Sequence, residues 1–173
     1  MPKLRTAALA LALLAGLGPA AAQDRPETRS LERPGPAFLF SAGPDFGAGR
    51  SRAWREGFVS LERRSDTPLR FGLRPLQSVS VGRHGAVLAS VGVHAVWRVG
   101  PVTVTPHFGP GLYHGGGRFD AKELLQFRSG VDVFLPLTER TAIGLGVVHV
   151  SNARITRRSA NLDIVRLSIL WRN

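Results

Sequence analysis

The clearest pattern in the chain is an alternation of apolar and polar residues, with a period of two, near the C-terminus. From Ile143 onward every second side chain is apolar until the stripe ends in His149 and Ser151. A second alternating segment runs from Asp163 to Trp171. Successive side chains of a β-strand point to opposite faces, so the pattern predicts two strands whose apolar stripes end in polar residues.

The same alternation recurs through most of the chain and predicts eight strands of about ten residues. They cover residues 37–46, 53–64, 69–81, 87–98, 101–114, 125–137, 141–151 and 163–171. Because proline has no N–H for the strand ladder, Pro75 predicts a bulge or break in the third strand. Pro106 and Pro110 likewise predict interruptions of the fifth strand.

The two faces of the predicted strands differ in a way that favours a membrane barrel over a soluble sheet. The apolar stripes are long, and Trp97 and Trp171 lie at stripe ends, where an aromatic girdle is found in outer-membrane barrels. The opposite faces carry glycine and charged residues. We therefore predict an all-β fold, an eight-stranded antiparallel transmembrane β-barrel, with a periplasmic β-sandwich or lipid-binding β-protein as the alternative. Inward-facing arginines would need carboxylate partners in a narrow lumen, and the candidates are Arg70, Arg74 and Arg128 with Glu62 or Asp132.

The N-terminus has the pattern of a secretory signal peptide. Lys3 and Arg5 precede an apolar stretch over residues 6–17, and residues 20–22 are three alanines suited to cleavage. The expected organisation is a signal peptide over residues 1–22, a flexible periplasmic leader over 23–36 and the barrel over 37–173. The alternative is an uncleaved N-terminal anchor. No later stretch approaches 18 consecutive apolar residues, which argues against a membrane-spanning helix.

The composition of the chain limits the kinds of partner and cofactor that it is expected to bind. The chain has 23 Lys and Arg against 12 Asp and Glu, a net charge of +11, and it contains no cysteine. The absence of cysteine excludes disulfides and thiolate metal sites. An exported basic protein without an aromatic and basic nucleic-acid motif is expected to meet anionic lipid rather than nucleic acid. The five histidines lack the spacing of zinc ligands, so no metal and no cofactor are predicted.

His149, Ser151 and Asp163 are the residue types of a nucleophilic hydrolase. With both termini in the periplasm, odd-numbered strands run outward. All three residues then lie at the outer end of the barrel, and because they continue the apolar stripes they should face lipid. The expected location is the cell outer membrane, as a multi-pass β-barrel, with the three residues at the level of the outer head groups.

The segment from His149 to Ala153 reads His-Val-Ser-Asn-Ala. It resembles the outer-membrane lipid A deacylases of the PagL type, which carry His-aromatic-Ser-Asn-Ala late in the seventh strand and an acidic residue twelve positions after the serine. Twelve positions after Ser151 is Asp163, where the family usually has Glu. The resemblance extends over residues 105–119 and 125–151 and fades before about residue 56.

The resemblance implies an eight-stranded barrel that hydrolyses the ester-linked acyl chain at position 3 of lipid A. It implies Ser151 as the nucleophile, His149 as its general base and Asp163 as the residue that orients the histidine. Asn152 would contribute to the oxyanion hole. The substrate would be lipid A or lipopolysaccharide.

Further expectations accompany this interpretation. Arg154, Arg157 and Arg158 are either a solvated charge cluster or a clamp for the phosphates of lipid A. An outer-membrane phospholipase is an alternative, because His149, Ser151 and Asp163 on a lipid-facing surface could also attack the esters of glycerophospholipids. A non-enzymatic adhesin or structural barrel is the alternative from another class. A homodimer is possible, and contacts with outer-membrane lipids are expected in every case.

Overall fold

The computed structural model describes residues 35–44, 57–82, 85–115, 124–153, 155 and 162–173. Nine strand segments lie within these ranges. They are β1 (Ala37–Gly43), β2 (Phe58–Arg64), β3 (Arg74–Gly82), β4 (Ala86–His94), β5 (Trp97–Val99), β6 (Val102–Gly115), β7 (Leu125–Pro136), β8 (Thr141–Ser151) and β9 (Leu162–Arg172). In the described ranges no helix is long and apolar enough to cross a membrane.

The strands close into an antiparallel barrel. Strands that follow one another along the chain are paired, except that β4 and β5 both pair with β6, and β9 returns to pair with β1. The segments β4 and β5 share one register on β6, since Val93 faces Phe108 and Trp97 faces Val104. They are therefore one barrel strand, and the prediction of an eight-stranded antiparallel barrel is confirmed.

Proline explains the gap between β4 and β5. The amide of Ala95 donates to the carbonyl oxygen of Pro106 at 3.0 Å, but Pro106 has no N–H to return the bond. The prediction that Pro106 and Pro110 interrupt their own strand was wrong, because β6 runs unbroken from Val102 to Gly115. The hydrogen-bond ladder is instead interrupted on the partner strand, in the gap between β4 and β5.

The third predicted strand was also too long. Residues 70–72 form a 3₁₀ turn in which Phe71 has a positive φ of 59°, and the strand begins only at Arg74. Arg70 is therefore an exposed turn residue and does not face the lumen. Pro75 pairs with Val93 in an unbroken register, so the predicted bulge is absent from the described strand. The break falls before Pro75, in the turn.

The outer face of the barrel is an apolar band. Large apolar side chains are exposed on every strand, and the short β1 and β5 contribute Phe40, Trp97 and Val99. At the end of the barrel that carries the connections 65–73, 100–101 and 137–140, here called the turn end, Trp171 packs beside Phe38 with 6.1 Å between ring centroids. The opposite, loop end carries the connections 44–57, 83–85, 116–124 and 152–161. An apolar band ending in aromatic residues is the exterior of a transmembrane barrel.

The lumen is filled with side chains. One apolar cluster occupies the loop end and contains Phe58, Ala86, Leu88, Tyr113, Val148, Val150, Leu162 and Ile164. A second occupies the turn end and contains Ala37, Leu39, Phe134, Ala142 and Leu170. Between them lies a charged layer of five buried residues, Glu62, Arg64, Arg128, Asp132 and Arg166. The described lumen is thus a packed core.

Ion pairs satisfy the charged layer. The carboxylate of Glu62 accepts hydrogen bonds from Arg64 at 2.5 Å and Arg128 at 2.6 Å. Asp132 accepts from Arg64 at 2.5 Å and from Arg166 at 2.7 and 2.8 Å. The predicted pairing of Arg128 with Glu62 is confirmed, whereas Arg74 has no such pairing with either carboxylate among the ion pairs described. Such pairing offsets the cost of burying charge in a narrow lumen.

Glycine provides the space for this layer. A Cβ on Gly146 would lie 1.9 Å from Oδ1 of Asp132, and a Cβ on Gly130 would lie 2.7 Å from Nε2 of His107. Both contacts are shorter than side chains tolerate. The glycines seen on the inward face of the sequence pattern are therefore positions where the charged layer needs the volume.

Candidate active site

Two adjacent strands bring His149 and Asp163 together. The register of β8 on β9 sets the two residues directly opposite each other, and both side chains point outward. Nδ1 of His149 lies 2.7 Å from Oδ1 of Asp163, with the side chains 46% and 59% exposed. This geometry fixes the imidazole by one ring nitrogen and leaves the Nε2 edge turned away from Asp163.

Ser151 lies two residues further along β8, on the same outward face as His149. Residues i and i+2 of a strand are about 6.6 Å apart along the chain and point the same way. Ser151 pairs with Phe127 on β7 and is half-buried at the loop end of the strand. The structure thus brings the three predicted residues to one end of one outward surface.

Asn152 is arranged differently. It follows the last residue of β8, its side chain is only 2% exposed, and its carbonyl oxygen accepts a hydrogen bond from the amide of Ile155 at 2.9 Å. The next residue, Ala153, has a positive φ of 51°. The chain therefore turns sharply after Ser151, and Asn152 is buried while Ser151 and His149 are accessible. Its role in an oxyanion hole stays a prediction.

Several predicted features lie outside the described residues. These are the signal peptide, nearly all of the leader, and the arginines Arg154, Arg157 and Arg158. Of the remaining histidines, His94 and His107 are buried in the lumen, where His94 contacts the carbonyl oxygen of Ser65 and His107 contacts Arg166. Within the described ranges no group of three His, Asp or Glu side chains could share a metal ion.

The surface around the three residues is apolar. Toward the turn end, the next outward residues on β7, β8 and β9 are Val131, Val147 and Val165, which lie opposite one another. Toward β6, the rings of Phe108 and Phe127 stack with centroids 6.0 Å apart and planes 9° from parallel. Polar side chains at the edge of an apolar, lipid-facing surface are costly and point to a function.

An outward-facing groove of about 740 Å³ approaches this site from the side of β6. Its lining is mostly apolar and includes Leu61, Val79, Val91, Pro110, Leu112 and Leu125. At its near end Pro110 faces Phe127, and Phe127 faces Ser151. Since neighbouring strands are about 4.8 Å apart, the groove ends about 10 Å from Ser151.

Sequence reasoning missed this groove. The groove crosses the strands, so it exists only once the register between them is known. That register is set by turns and by packing in the lumen, and the apolar stripes do not encode it.

Comparison with solved structures finds small membrane barrels. A de novo designed transmembrane β-barrel superposes with a TM-score of 0.53 at 12% identity, over 82% of this chain and 98% of the designed one. The outer membrane enzyme PagL superposes with a TM-score of 0.55 at 10% identity, over 79% of this chain and 99% of PagL. The outer membrane protein Ail of Yersinia pestis gives a TM-score of 0.48 at 11% identity, over 80% and 99%.

No family model matches the chain, and no curated protein sequence matches it. At identities of 10% and 12%, the likeness to PagL and to the designed barrel shows a shared fold. The chain has the eight-stranded antiparallel fold of small outer-membrane barrels.

Proposed function

We propose that the protein is an outer-membrane esterase that removes the 3-O-linked acyl chain of lipid A. The observation that carries the proposal is the hydrogen bond between His149 and Asp163 on the outward apolar face, beside the outward-facing Ser151. A base oriented by an acid next to a hydroxyl is the arrangement of a serine hydrolase. Its position on the apolar exterior favours a substrate that is itself part of the membrane.

The reaction follows from the roles of the three side chains. Nε2 of His149 takes the hydroxyl proton of Ser151 as the serine oxygen bonds to the ester carbonyl carbon. Asp163 holds the tautomer with the proton on Nδ1 and stabilises the imidazolium that forms. The carbon–oxygen bond to the sugar then breaks, and the departing alkoxide takes the proton from His149. Water, deprotonated by the same imidazole, hydrolyses the acyl-serine and releases the fatty acid.

The oxyanion needs hydrogen-bond donors that are fixed before the reaction. Asn152 follows the nucleophile directly, and the chain turns at Ala153, which has a positive φ of 51°. Hydrogen-bond donors of this turn, with Asn152 as one of them, are proposed to stabilise the oxyanion. Arg154, Arg157 and Arg158 are proposed to bind the phosphates of lipid A, because guanidinium groups bind phosphate in a bidentate manner.

The outer groove supports an acyl substrate. A hydrocarbon chain leaving a carbonyl at Ser151 would pass Phe127 and Pro110 and enter the groove near Leu112 and Leu125. From there the groove reaches Phe38 and Arg63 near the turn end. With the loop end at the cell surface, an acyl chain in this groove would run into the bilayer as it does in lipid A.

The proposal is tested by the mass of lipid A from Gram-negative cells that express the protein. The wild type is expected to produce lipid A lighter by one 3-O-linked acyl chain, and Ser151→Ala is expected to produce none of this species. Ser80→Ala is the matched control, because Ser80 is buried in the lumen on β3, on the opposite side of the barrel from β8. An unchanged lipid A profile in the wild type, with the folded barrel present, contradicts the proposal.

A phospholipase is the second candidate, because the outer groove recognises an acyl chain rather than a head group. Purified barrel in detergent, offered lipid A and glycerophospholipid in equal amounts, separates the two activities. A non-enzymatic barrel would leave both lipids intact.

A further inference from the structure

The outer groove has two polar side chains on the side that faces the turn end of the barrel. Arg63 on β2 and Gln77 on β3, here called the polar pair, are directly opposite each other, and both are exposed and line the groove. Arg63 is also opposite Phe38, whose ring packs beside Trp171. The polar pair therefore lies next to the aromatic residues that border the apolar band at this end.

A charged residue at this position is unusual for the outer surface. On the outward stripes of the described strands, Arg, Lys, Asp and Glu occur at Arg63 and Asp163 and nowhere else, and Asp163 belongs to the candidate active site. Within the described residues the guanidinium group of Arg63 makes no hydrogen bond or ion pair. A charge beside an apolar, lipid-facing surface is costly unless a counter-charge meets it. The partner of Arg63 is therefore expected in the membrane.

The register of the strands shows how the groove runs. One row of outward side chains faces one another from strand to strand and consists of Leu61, Val79, Ala89, Leu112 and Leu125. The row crosses five strands, and at a spacing of about 4.8 Å it is about 19 Å long. Leu125 begins β7 at the loop end, and the row descends toward the turn end as it approaches β2, because barrel strands tilt by about 35–45°. The groove thus crosses the apolar band obliquely, and an acyl chain can enter it from either end.

The charges at the turn end favour an anionic occupant. Among the described residues of this end the acidic side chains are Asp66 and Glu139, whereas arginines are more numerous and include Arg70, Arg98 and Arg140. Basic side chains at a membrane surface attract anionic lipids. With the loop end at the cell surface, the turn end lies at the periplasmic leaflet, where phospholipid head groups are at the barrel end and their acyl chains point into the bilayer.

We propose that the polar pair and the turn-end half of the outer groove bind one anionic glycerophospholipid of the periplasmic leaflet. The guanidinium group of Arg63 donates two parallel hydrogen bonds to the phosphate, and the side-chain amide of Gln77 donates another. One acyl chain lies in the groove beside Leu61 and Val79. The inference does not rest on the proposed esterase activity, since the acyl chain of lipid A would enter the groove from the opposite end, near Leu125.

The test measures binding of phosphatidylglycerol to the purified barrel in a non-ionic detergent by native mass spectrometry. Phosphatidylcholine with the same acyl chains is the comparison lipid, because it keeps the phosphate but has no net charge. Arg63→Gln removes the charge at the groove, and Arg70→Gln removes a charge from the exposed turn at the same end, outside the groove lining. Val79→Phe fills the groove. Its matched control is Val81→Phe on the same strand, because the two valines are 49% and 43% exposed and only Val79 lines the groove.

We expect the wild-type barrel to retain one phosphatidylglycerol and to bind it more tightly than phosphatidylcholine. Arg63→Gln is expected to weaken binding by about tenfold or more, because hydrogen bonds to a charged group contribute at least that factor. Val79→Phe should weaken it as strongly, since the ring occupies the space of the acyl chain. Arg70→Gln and Val81→Phe should stay within about twofold of the wild type, because exposed positions outside the site contribute little. Heat-modifiable migration on a gel verifies folding of each variant.

Three results would overturn the inference. If Arg63→Gln lost no more affinity than Arg70→Gln, Arg63 would be one surface charge among others. Equal affinities of Val79→Phe and Val81→Phe would reject the groove as the place of the acyl chain. Phosphatidylcholine bound as tightly as phosphatidylglycerol would reject recognition of an anionic head group. Failure of the esterase proposal is a separate result, because a barrel that leaves lipid A intact but binds phosphatidylglycerol through Arg63 keeps the phospholipid site.

Discussion

The lumen and the outer surface of this barrel both carry carboxylates, but in opposite settings. In the charged layer, Glu62 and Asp132 are fully buried and each accepts hydrogen bonds from at least two arginines. On the outer surface, Asp163 is 59% exposed and orients a histidine that is itself half-exposed. The inner carboxylates have no access to a substrate, whereas the outer pair is open to one.

The difference shows that charge alone does not locate a functional site in a small barrel. Inside, many charges neutralise one another in a space that glycines such as Gly146 leave open, and the result is a packed core. Outside, a few polar groups interrupt an apolar band at one end of two strands. A charge that faces the lumen and is fully paired has a structural role. A charge that faces outward and stays accessible is a candidate for function.

The largest expected effect is a difference in activity between substitution of a histidine on the outer surface and of a histidine in the lumen. His149→Ala is expected to lower the rate of ester hydrolysis by about 10⁴-fold, as loss of the general base does in serine hydrolases, without a change in stability. His107 is buried in the lumen beside Arg166 and is the matched control. His107→Ala should retain activity in whatever fraction of the barrel folds. Both rates are measured per folded barrel in detergent, and equal losses would remove the distinction between the two regions.

A smaller effect, on stability, separates the two aspartates. Asp132→Ala leaves Arg64 and Arg166 without a shared carboxylate in the lumen and is expected to lower the free energy of unfolding by about 3–5 kcal/mol. Asp163→Ala removes an exposed pair and is expected to change it by less than about 1 kcal/mol. Reversible urea unfolding in lipid vesicles, followed by tryptophan fluorescence, measures both. A larger loss for Asp163→Ala would contradict the assignment of the lumen as the structural region.

Much of this contrast could be predicted from the alternation of residues. A period of two is enough to assign His149, Ser151 and Asp163 to the outward face and Arg128 and Asp132 to the inward face, because a strand has two faces. The closed eight-stranded fold follows from the number and length of the stripes. These assignments depend on neighbours within one strand, which the sequence lists directly.

What could not be predicted depends on contacts between strands or on turns. The pairing of Ser129 with His149 and the path of the outer groove require the register of β7 on its neighbours. The turn at Phe71 replaced five residues of a predicted strand, since the apolar side chains of that turn continue the pattern of a stripe although its backbone is not extended. Pro106 lies inside β6, because its missing N–H affects the partner strand rather than its own.

The smallest expected effect concerns one methylene group at Asp163. The Asp carboxylate already reaches Nδ1 of His149 at 2.7 Å across directly opposite positions, so the longer side chain of a glutamate is not needed. Asp163→Glu is expected to change the rate of the proposed ester hydrolysis by less than about tenfold, because an exposed side chain can bend to recover the bond, whereas Asp163→Asn should lose about 10⁴-fold through the wrong tautomer. In the lumen the same extension has no room: Asp132→Glu should cost about 1–3 kcal/mol of stability by overpacking against Gly146. If Asp163→Glu instead abolished ester hydrolysis while Asp132→Glu left stability unchanged, the outer site would be the rigid region and the lumen the adaptable one.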